Sequence, residues 1–295
     1  MSPRTLPAGA GHFAAGIEVK NPGAFSPRLV RFTQRIGGPL VRLSYRPSLD
    51  GFENLPSEGP FLLVANHSAG LGIAEIFSFY TLYFARFGAG RKLAGFALPL
   101  DWHIPGMRAL VEAAGAIPSS YAAARHALAA GVPILMFPGG DYETTRPIWQ
   151  AHRVDFGGRK GFLRIAREAG VPVVPLGIRG SHFTAPILWR SELLATLLVA
   201  PRLIGQKRWG VSLLGLLGAV LLLALVPLPW SLFWVWLWLG SPATFLPWIP
   251  WTVRLRIGKP LPARELFPTD GEAGLDAALV RVQASVQRLV DGLRA

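Results

Sequence analysis

The chain has 295 residues, room for one large domain or two small ones. About half are hydrophobic (51%), ten are tryptophan, and 30 basic against 17 acidic residues leave a formal charge of +13. Such a basic excess serves nucleic acid, anionic lipid headgroups or a polyanionic ligand. No zinc-ligand pattern or aromatic RNA-binding signature is present and the cations are scattered among apolar residues, so membrane and phosphate fit and nucleic acid does not.

With no cysteine, disulfides and thiolate catalysis are excluded. Residues 1 to about 25 are rich in Gly, Ala and Pro without a period and read as a flexible or loosely packed arm, with no continuous apolar run to mark a cleaved signal peptide. From Pro27 to Tyr45, Arg28, Arg31, Arg35 and Arg42 interleave with Leu29, Val30, Phe32, Ile36, Leu40, Val41 and Leu43. Gly37-Gly38-Pro39 divides this stretch into two short amphipathic pieces. They suit packing on a core with a solvated basic face, and equally an anionic lipid surface.

After a turn-rich lead-in, Ser48 to Pro60, the run Phe61 to Ala65 is a buried strand that ends in Asn66-His67 and breaks into a small-residue loop. Ile73 to Phe87 is apolar nearly all round, hence buried or membrane-facing. A helix from Met107 to Ala114, a strand from Ala116 to Pro118, and a helix from Tyr121 to Ala130 capped by Ser119 and stopped by Gly131 follow. Pro133 to Phe137 is a strand, Gly161 to Ala169 a helix stopped by Gly170, and Val171 to Ile178 another strand. Apolar strands alternating with helices predict an α/β fold with a mixed, mostly parallel sheet flanked by helices. Right-handed crossovers gather the strands' carboxyl ends at one edge, which then holds His67, Gly139-Gly140 and the stretch after Ile178.

From Trp209 to Val253 no residue is charged, and seven of the ten tryptophans fall there. Val211 to Val226 and Trp230 to Leu239 are apolar arms separated by Pro227 and Pro229. A helix of about 16 residues is only ~24 Å long, short of a hydrocarbon core of ~30 Å. With basic residues on both flanks (Arg202, Lys207, Arg208; Arg254, Arg256, Lys259), an inserted hydrophobic membrane hairpin that enters and returns on one face is expected. A buried core hairpin and a single broken span are the alternatives. Val253 to Ile257 alternates as a half-exposed strand, and Asp276 to Leu293 carries one apolar stripe for packing. The expected organisation is an arm and basic segment over 1–47, a core over 48–208, the apolar insertion over 209–252, and a closing strand and helix over 253–295.

The blocks Asn66-His67, Phe137-Pro138-Gly139-Gly140 and Val171-Pro172-Val173-Val174-Pro175 resemble, in order and spacing, the phospholipid/glycerol acyltransferase superfamily, which includes the lysophosphatidic acid acyltransferases. The resemblance implies a membrane-bound enzyme. It would move a fatty acyl chain from acyl-CoA or acyl carrier protein to the hydroxyl of a glycerolipid, a lysophospholipid or a related lipophilic alcohol, by direct attack with His67 as general base. An imidazole suits that role because its unperturbed pKa, near ~6.5, is close to working pH. No metal is implied, and no cofactor beyond the acyl donor. Bilayer, anionic lipids, lipid acceptor and acyl donor are the expected partners, at the cytoplasmic face of a bacterial inner membrane.

Several positions depart from the family's pattern. Five residues after the histidine, where the family carries Asp, stands Gly72; the first acid is Glu75, in the first turn of the predicted helix, where the dipole favours a carboxylate and it can reach back to the imidazole. Asp101, Asp141 and Glu143 are reserves. The Gly-Gly form of the third block is more like the diacylglycerol acyltransferase branch. Gly139 and Gly140 can present backbone N–H groups to a phosphate or an oxyanion. Arg146 and Arg153 in the polar loop, and Arg159 and Lys160 at a helix start, suit a phosphate, although Lys160, Arg164 and Arg167 also share a solvated face. Where the family's second block carries an acceptor-binding Arg, Gly115-Ala116-Ile117-Pro118 runs into Ser119-Ser120, which favours a less charged acceptor. A non-catalytic lipid-binding or lipid-transfer protein on the same scaffold is the rival reading. A serine-hydrolase elbow, a Walker loop and a dinucleotide fingerprint are all missing; Gly180-Ser181-His182 lacks the elbow's spacing.

Overall fold

The computed structural model describes residue 17 and residues 19–97, 99–269 and 271–293. The expected N-terminal arm lies outside the described residues up to residue 16 and at 18. Its last residues are packed rather than loose. Phe25 is buried edge-on against Phe84, ring centroids 4.8 Å apart, and Gly23 bonds through its backbone to Gly115 and Leu93.

Nine strands are described: β1 Ser48–Asp50, β2 Leu62–Ala65, β3 Ala94–Ala97, β4 Ala116–Pro118, β5 Ile134–Met136, β6 Val173–Arg179, β7 Ile187–Ser191, β8 Trp209–Ser212 and β9 Arg254–Ile257. Seven form one sheet in the order β1-β9-β6-β2-β5-β3-β4, parallel throughout except where β9 runs against β6. The mostly parallel sheet expected from the sequence is therefore present. β1 and β3 fall in stretches without a strand pattern. β3 is Ala-Gly-Phe-Ala, and its Gly95 lies under the Tyr80 hydroxyl, where small residues are needed.

The helices are α1 over residues 27–45, α2 Ile73–Phe87, α3 Met107–Ala113, α4 Tyr121–Ala129, α5 Gly140–Thr144, α6 Gly161–Ala169, α7 Glu192–Leu197, α8 Ala200–Leu203, α9 Leu213–Leu225, α10 Trp230–Gly240, α11 Ala263–Leu266 and α12 Gly271–Gly292. Alternation along β2 sorts the core into two layers. Leu62 and Val64 face α4, α6 and α12; Leu63 and Ala65 face α1 and α2. Gly37-Gly38-Pro39 does not divide α1: a π-turn, Thr33–Gly37, carries the helix through, with the Gly38 N–H reaching back to the Thr33 carbonyl. The wider turn absorbs the residue whose N–H proline lacks. The cap of α4 is Ser120, one residue beyond Ser119, its hydroxyl accepting from the Ala123 N–H (3.2 Å).

Between β6 and β9 the chain leaves the sheet. β7 and β8 form an antiparallel ribbon, and α9 and α10 fold back on each other, with Gly218 against the Trp238 ring and the Trp238 indole donating to the Gly215 carbonyl (3.0 Å). α9 has 13 residues and α10 has 11, and among the described residues no helix is long and apolar enough to cross a membrane. The ends of the uncharged stretch are built into the protein. Trp209 and Phe245 are buried with Ile187, Ala195 and Leu198 in a small core of their own.

The C-terminal helix α12 lies directly on β6, so closely that a Cβ at Gly177 would stand 2.5 Å from the Leu289 Cβ and 3.0 Å from the Val290 nitrogen. Gly177→Ala is therefore expected to destabilise the fold by about 1–3 kcal/mol through overpacking, read as a lower denaturation midpoint with an unchanged slope.

Candidate active site

β2, β5 and β6 run parallel and side by side, so their carboxyl ends meet at one edge. Asn66, at the end of β2, locks that edge: its amide donates to the Ile178 carbonyl (2.9 Å) and accepts from the Ile178 N–H (2.8 Å) of β6. The next residue is His67. Its ring stacks on Phe137 at the end of β5, centroids 4.3 Å apart and planes 26° apart, and its side chain keeps 14% exposure.

The chain then turns through Ala69, Gly70 and Gly72, all at positive φ, and enters α2. Glu75 lies in the first turn of α2, fully buried, and its carboxylate meets His67 Nδ1. Three further donors complete its shell: the Ser68 N–H on Oε1 (3.0 Å), the Ser68 hydroxyl on Oε2 (2.7 Å) and the Ser181 hydroxyl on Oε2 (2.8 Å). A buried carboxylate requires such satisfaction. Gly72 leaves the necessary space, since a Cβ there would run into the His67 ring. A side chain at this position is thus incompatible with the Glu75 geometry. With Nδ1 turned to Glu75, Nε2 is the ring nitrogen that can take a proton from a substrate.

A second carboxylate supports the loop from below. Glu143, on α5, accepts from the His67 backbone N–H (3.1 Å) and the Asp155 N–H (3.0 Å), and lies 3.7 Å from the Arg146 guanidinium. Both side chains are buried. Burial pushes the Glu143 carboxyl up to about 8, against the opposing pull of the Asp155 N–H, Arg146 and the His67 N–H. Arg146 is held below its ordinary value, chiefly by burial. His182, just after β6, is buried with no hydrogen-bond partner for Nε2 among the described residues; burial, then the charges of His152, Arg146 and His67, push it down to about 3.

The four cations expected around a phosphate do not converge. Arg146 belongs to Glu143 and the Asp155 carbonyl (3.1 Å). Arg153 is exposed beside Asp155 (3.6 Å). Arg159 is paired with Asp141 and donates to the Gly139 carbonyl (2.7 Å). Lys160 pairs with Asp276 (2.6 Å) and Glu272 (3.3 Å) on α12. Gly139 and Gly140 admit close neighbours: a Cβ would collide with Glu143 at the first and with the Arg159 guanidinium at the second. The Gly140 N–H donates to the Phe137 carbonyl (3.1 Å). Beside this turn opens a cleft of about 370 Å³ lined by Phe96, Met136, Phe137 and Phe162, with Ser119, Ser120, Tyr121 and Arg159 as polar members. Sequence reasoning missed Ser68 and Ser181 as the partners of Glu75, and Phe137 as the plate beneath His67. The parallel pairing of β2 with β6 brings Ser181 in, and only the strand order reveals it.

Residues 46–179 match the profile of the Acyltransferase family. The chain is 26% identical over 273 residues to an uncharacterised protein of Mycobacterium leprae, covering 89% of this chain and 66% of that protein. It is 29% identical over 126 residues to the bovine (Bos taurus) DGAT1/2-independent enzyme synthesizing storage lipids, covering 43% of this chain and 36% of the enzyme. Its fold is similar to that of the 1-acyl-sn-glycerophosphate (LPA) acyltransferase PlsC from Thermotoga maritima, with a TM-score of 0.52 and 20% identity over 91% of this chain and 80% of that one. The stretch that carries Asn66-His67 and Phe137-Pro138-Gly139-Gly140 is thus similar to the Acyltransferase family, on a fold similar to that of a solved acyltransferase. It spans just under two thirds of its Mycobacterium leprae relative's length (66%).

Glu143 sets a pH dependence whose sign follows from its raised value. The fold keeps a proton that the unfolded chain loses above the ordinary carboxylate value of 4.5, so this contribution is full below that pH and disappears as pH rises to about 8. Unfolding by denaturant between pH 6.5 and pH 8, above the range in which the depressed His182 acts in the opposite sense, is expected to show stability falling with pH, and Glu143→Gln is expected to flatten that slope. Equal slopes in both proteins would contradict the assignment.

Proposed function

We propose that the protein is a membrane-associated O-acyltransferase that moves a fatty acyl chain from an acyl-CoA or acyl carrier protein thioester to the hydroxyl of a weakly charged lipid alcohol such as a glyceride. One observation carries this reading: His67 Nδ1 rests on a buried Glu75 already saturated by Ser68 and Ser181, at the carboxyl edge of the family's own core. The acceptor O–H gives its proton to His67 Nε2 as its oxygen attacks the thioester carbonyl. Collapse of the tetrahedral adduct breaks the C–S bond, and the thiolate leaves with the proton held on the imidazole. Glu75 keeps the ring in the Nδ1–H tautomer and stabilises its charged form. A thioester is activated already, so no acyl-enzyme is required.

A weakly charged acceptor is supported by the engagement of Arg146, Arg153, Arg159 and Lys160 with carboxylates of the protein itself. The cleft beside Phe137 offers apolar walls for a chain and falls in the size range of lipid and cofactor pockets. The membrane setting is supported by α9 and α10, whose outward Leu221, Leu225, Leu228, Trp230, Leu232 and Trp234 are all exposed. That surface is an apolar patch with tryptophans of the kind that sits at a lipid interface.

In a thiol-release assay on detergent-purified protein with a long-chain acyl-CoA or acyl carrier protein, His67→Ala is expected to lower kcat by about 10²- to 10⁴-fold and Glu75→Gln by at least about tenfold. Neutral glycerides should be used in preference to lysophosphatidic acid; the reverse preference would overturn the acceptor assignment. If wild type binds lipid yet releases no thiol with any donor, the reading gives way to a non-catalytic lipid carrier. Leu225→Glu combined with Trp230→Glu is expected to abolish sedimentation with phosphatidylcholine vesicles while leaving the denaturation midpoint unchanged, since both side chains are exposed.

A further inference from the structure

The loop between His67 and α2 is poorly able to hold its own shape. Ala69 takes a left-handed φ of 56°, a conformation that costs a residue with a Cβ about 1 kcal/mol or more, and Gly70 and Gly72 follow at 69° and 65°. Such a segment persists only when its surroundings hold it. On one side the hold comes from α5: the Gly70 N–H donates to the Thr144 carbonyl (2.7 Å), and the His67 N–H to Glu143 (3.1 Å). On the other side it comes from a residue 175 positions away. Phe245 is buried with the root of its side chain against Gly70, so closely that a Cβ at Gly70 would collide with Phe245 Cβ, Cγ and Cδ1.

Phe245 lies in the short turn that brings the chain back from α10. Its ring packs edge-on against Trp209, centroids 4.6 Å apart, and the Trp209 indole donates to the Leu239 carbonyl (2.7 Å) at the end of α10. The Ser212 hydroxyl caps α9 through the Gly215 N–H (2.9 Å) and bonds to the Thr244 carbonyl. Both ends of the apolar helix pair are thereby tied to the turn that carries Phe245. The ribbon beneath the pair grips α5 as well: the Lys207 and Arg208 N–H groups donate to Asp141 (3.0 Å each), and Arg190 and Arg208 lie over the Tyr142 ring at 4.4 and 5.1 Å.

We infer that Phe245 is a positioning residue: it is the contact through which the α9–α10 pair, once seated on a lipid surface, fixes the Ser68–Gly72 loop and so the His67–Glu75 pair. It touches no substrate and acts through Gly70. The inference rests on the lipid-facing reading of α9 and α10 given above. Lipid that steadies the pair steadies its root, and the root is half of the catalytic loop's support. Turnover is then highest when the enzyme is on the surface that holds its lipid acceptor.

The test uses the full chain as wild type, Phe245→Ala and Phe245→Leu, with and without vesicles of mixed phosphatidylcholine and phosphatidylglycerol. Hydrogen exchange at residues 68–72 is read by mass spectrometry beside the exchange of β2 and β6, which reports whether each variant keeps its fold. In wild type, vesicles are expected to slow exchange in the loop by about tenfold or more. Phe245→Ala should lose that response with β2 and β6 still protected, and Phe245→Leu should keep most of it. In the thiol-release assay Phe245→Ala should lower kcat about tenfold or more with an unchanged KM for the acyl donor, and Phe245→Leu should restore it. Loop exchange that ignores vesicles in wild type, or responds equally in Phe245→Ala, overturns the inference. Loop protection without thiol release in wild type would uphold it while removing the acyltransferase reading; release with an unresponsive loop would do the opposite.

Discussion

The whole arrangement depends on satisfying one carboxylate inside the protein. Glu75 is fully buried, and a bare carboxylate in that position would protonate or drive the helix out. It stays because four donors close around it, the His67 imidazole, the Ser68 N–H and hydroxyl, and the Ser181 hydroxyl, brought from two strand ends to a helix start. Each donor makes a demand on the fold. Ser68 needs the chain to turn sharply after β2; Ser181 needs β6 to lie next to β2 in parallel register; His67 needs position 72 without a side chain. Where the resembling family carries its acid five residues after the histidine this chain has Gly72, and Glu75, three residues further on in the first turn of α2, meets the imidazole instead.

Around this pair the loop has two supports of different kinds. α5 holds it by hydrogen bonds and by the buried Glu143–Arg146 pair, within the sheet's own architecture. The second support, Phe245, comes from a segment outside the sheet whose exposed face is apolar. A site supported both by its own core and by an appendage with an exposed apolar face is what the proposed membrane setting asks for. The cations expected to bind phosphate serve elsewhere: Arg146 beneath the loop, Arg159 against the glycine turn, Lys160 between α6 and α12.

The main strands, the longer helices and their order were legible because the strands are continuous apolar runs, because glycine stops the helices that precede them, and because Asn66-His67 terminates one strand. β1 and β3 were not, since short strands of small or mixed residues take their identity from neighbours in the sheet. Glu75 could be named because it is close to His67 in sequence and in the right turn of a helix. Ser181 could not: its contact spans 106 positions and needs the strand order. The role of the four cations was equally hidden, because spacing along a chain shows that charges are near one another and says nothing of which carboxylate meets each. The glycines at 37 and 38 misled for a related reason. Local rules break a helix there, and a π-turn within the packed helix carries it through.

The central claim is that Glu75 holds His67 as an Nδ1–H imidazole with Nε2 ready to accept a proton. Nitrogen NMR of histidine-labelled protein, with the His67 signals assigned by difference against His67→Ala, reads this directly. Neutral His67 should show a protonated Nδ1 and an unprotonated Nε2, and Glu75→Gln should abolish this preference. An Nε2–H tautomer in wild type, or a tautomer indifferent to Glu75→Gln, would contradict it.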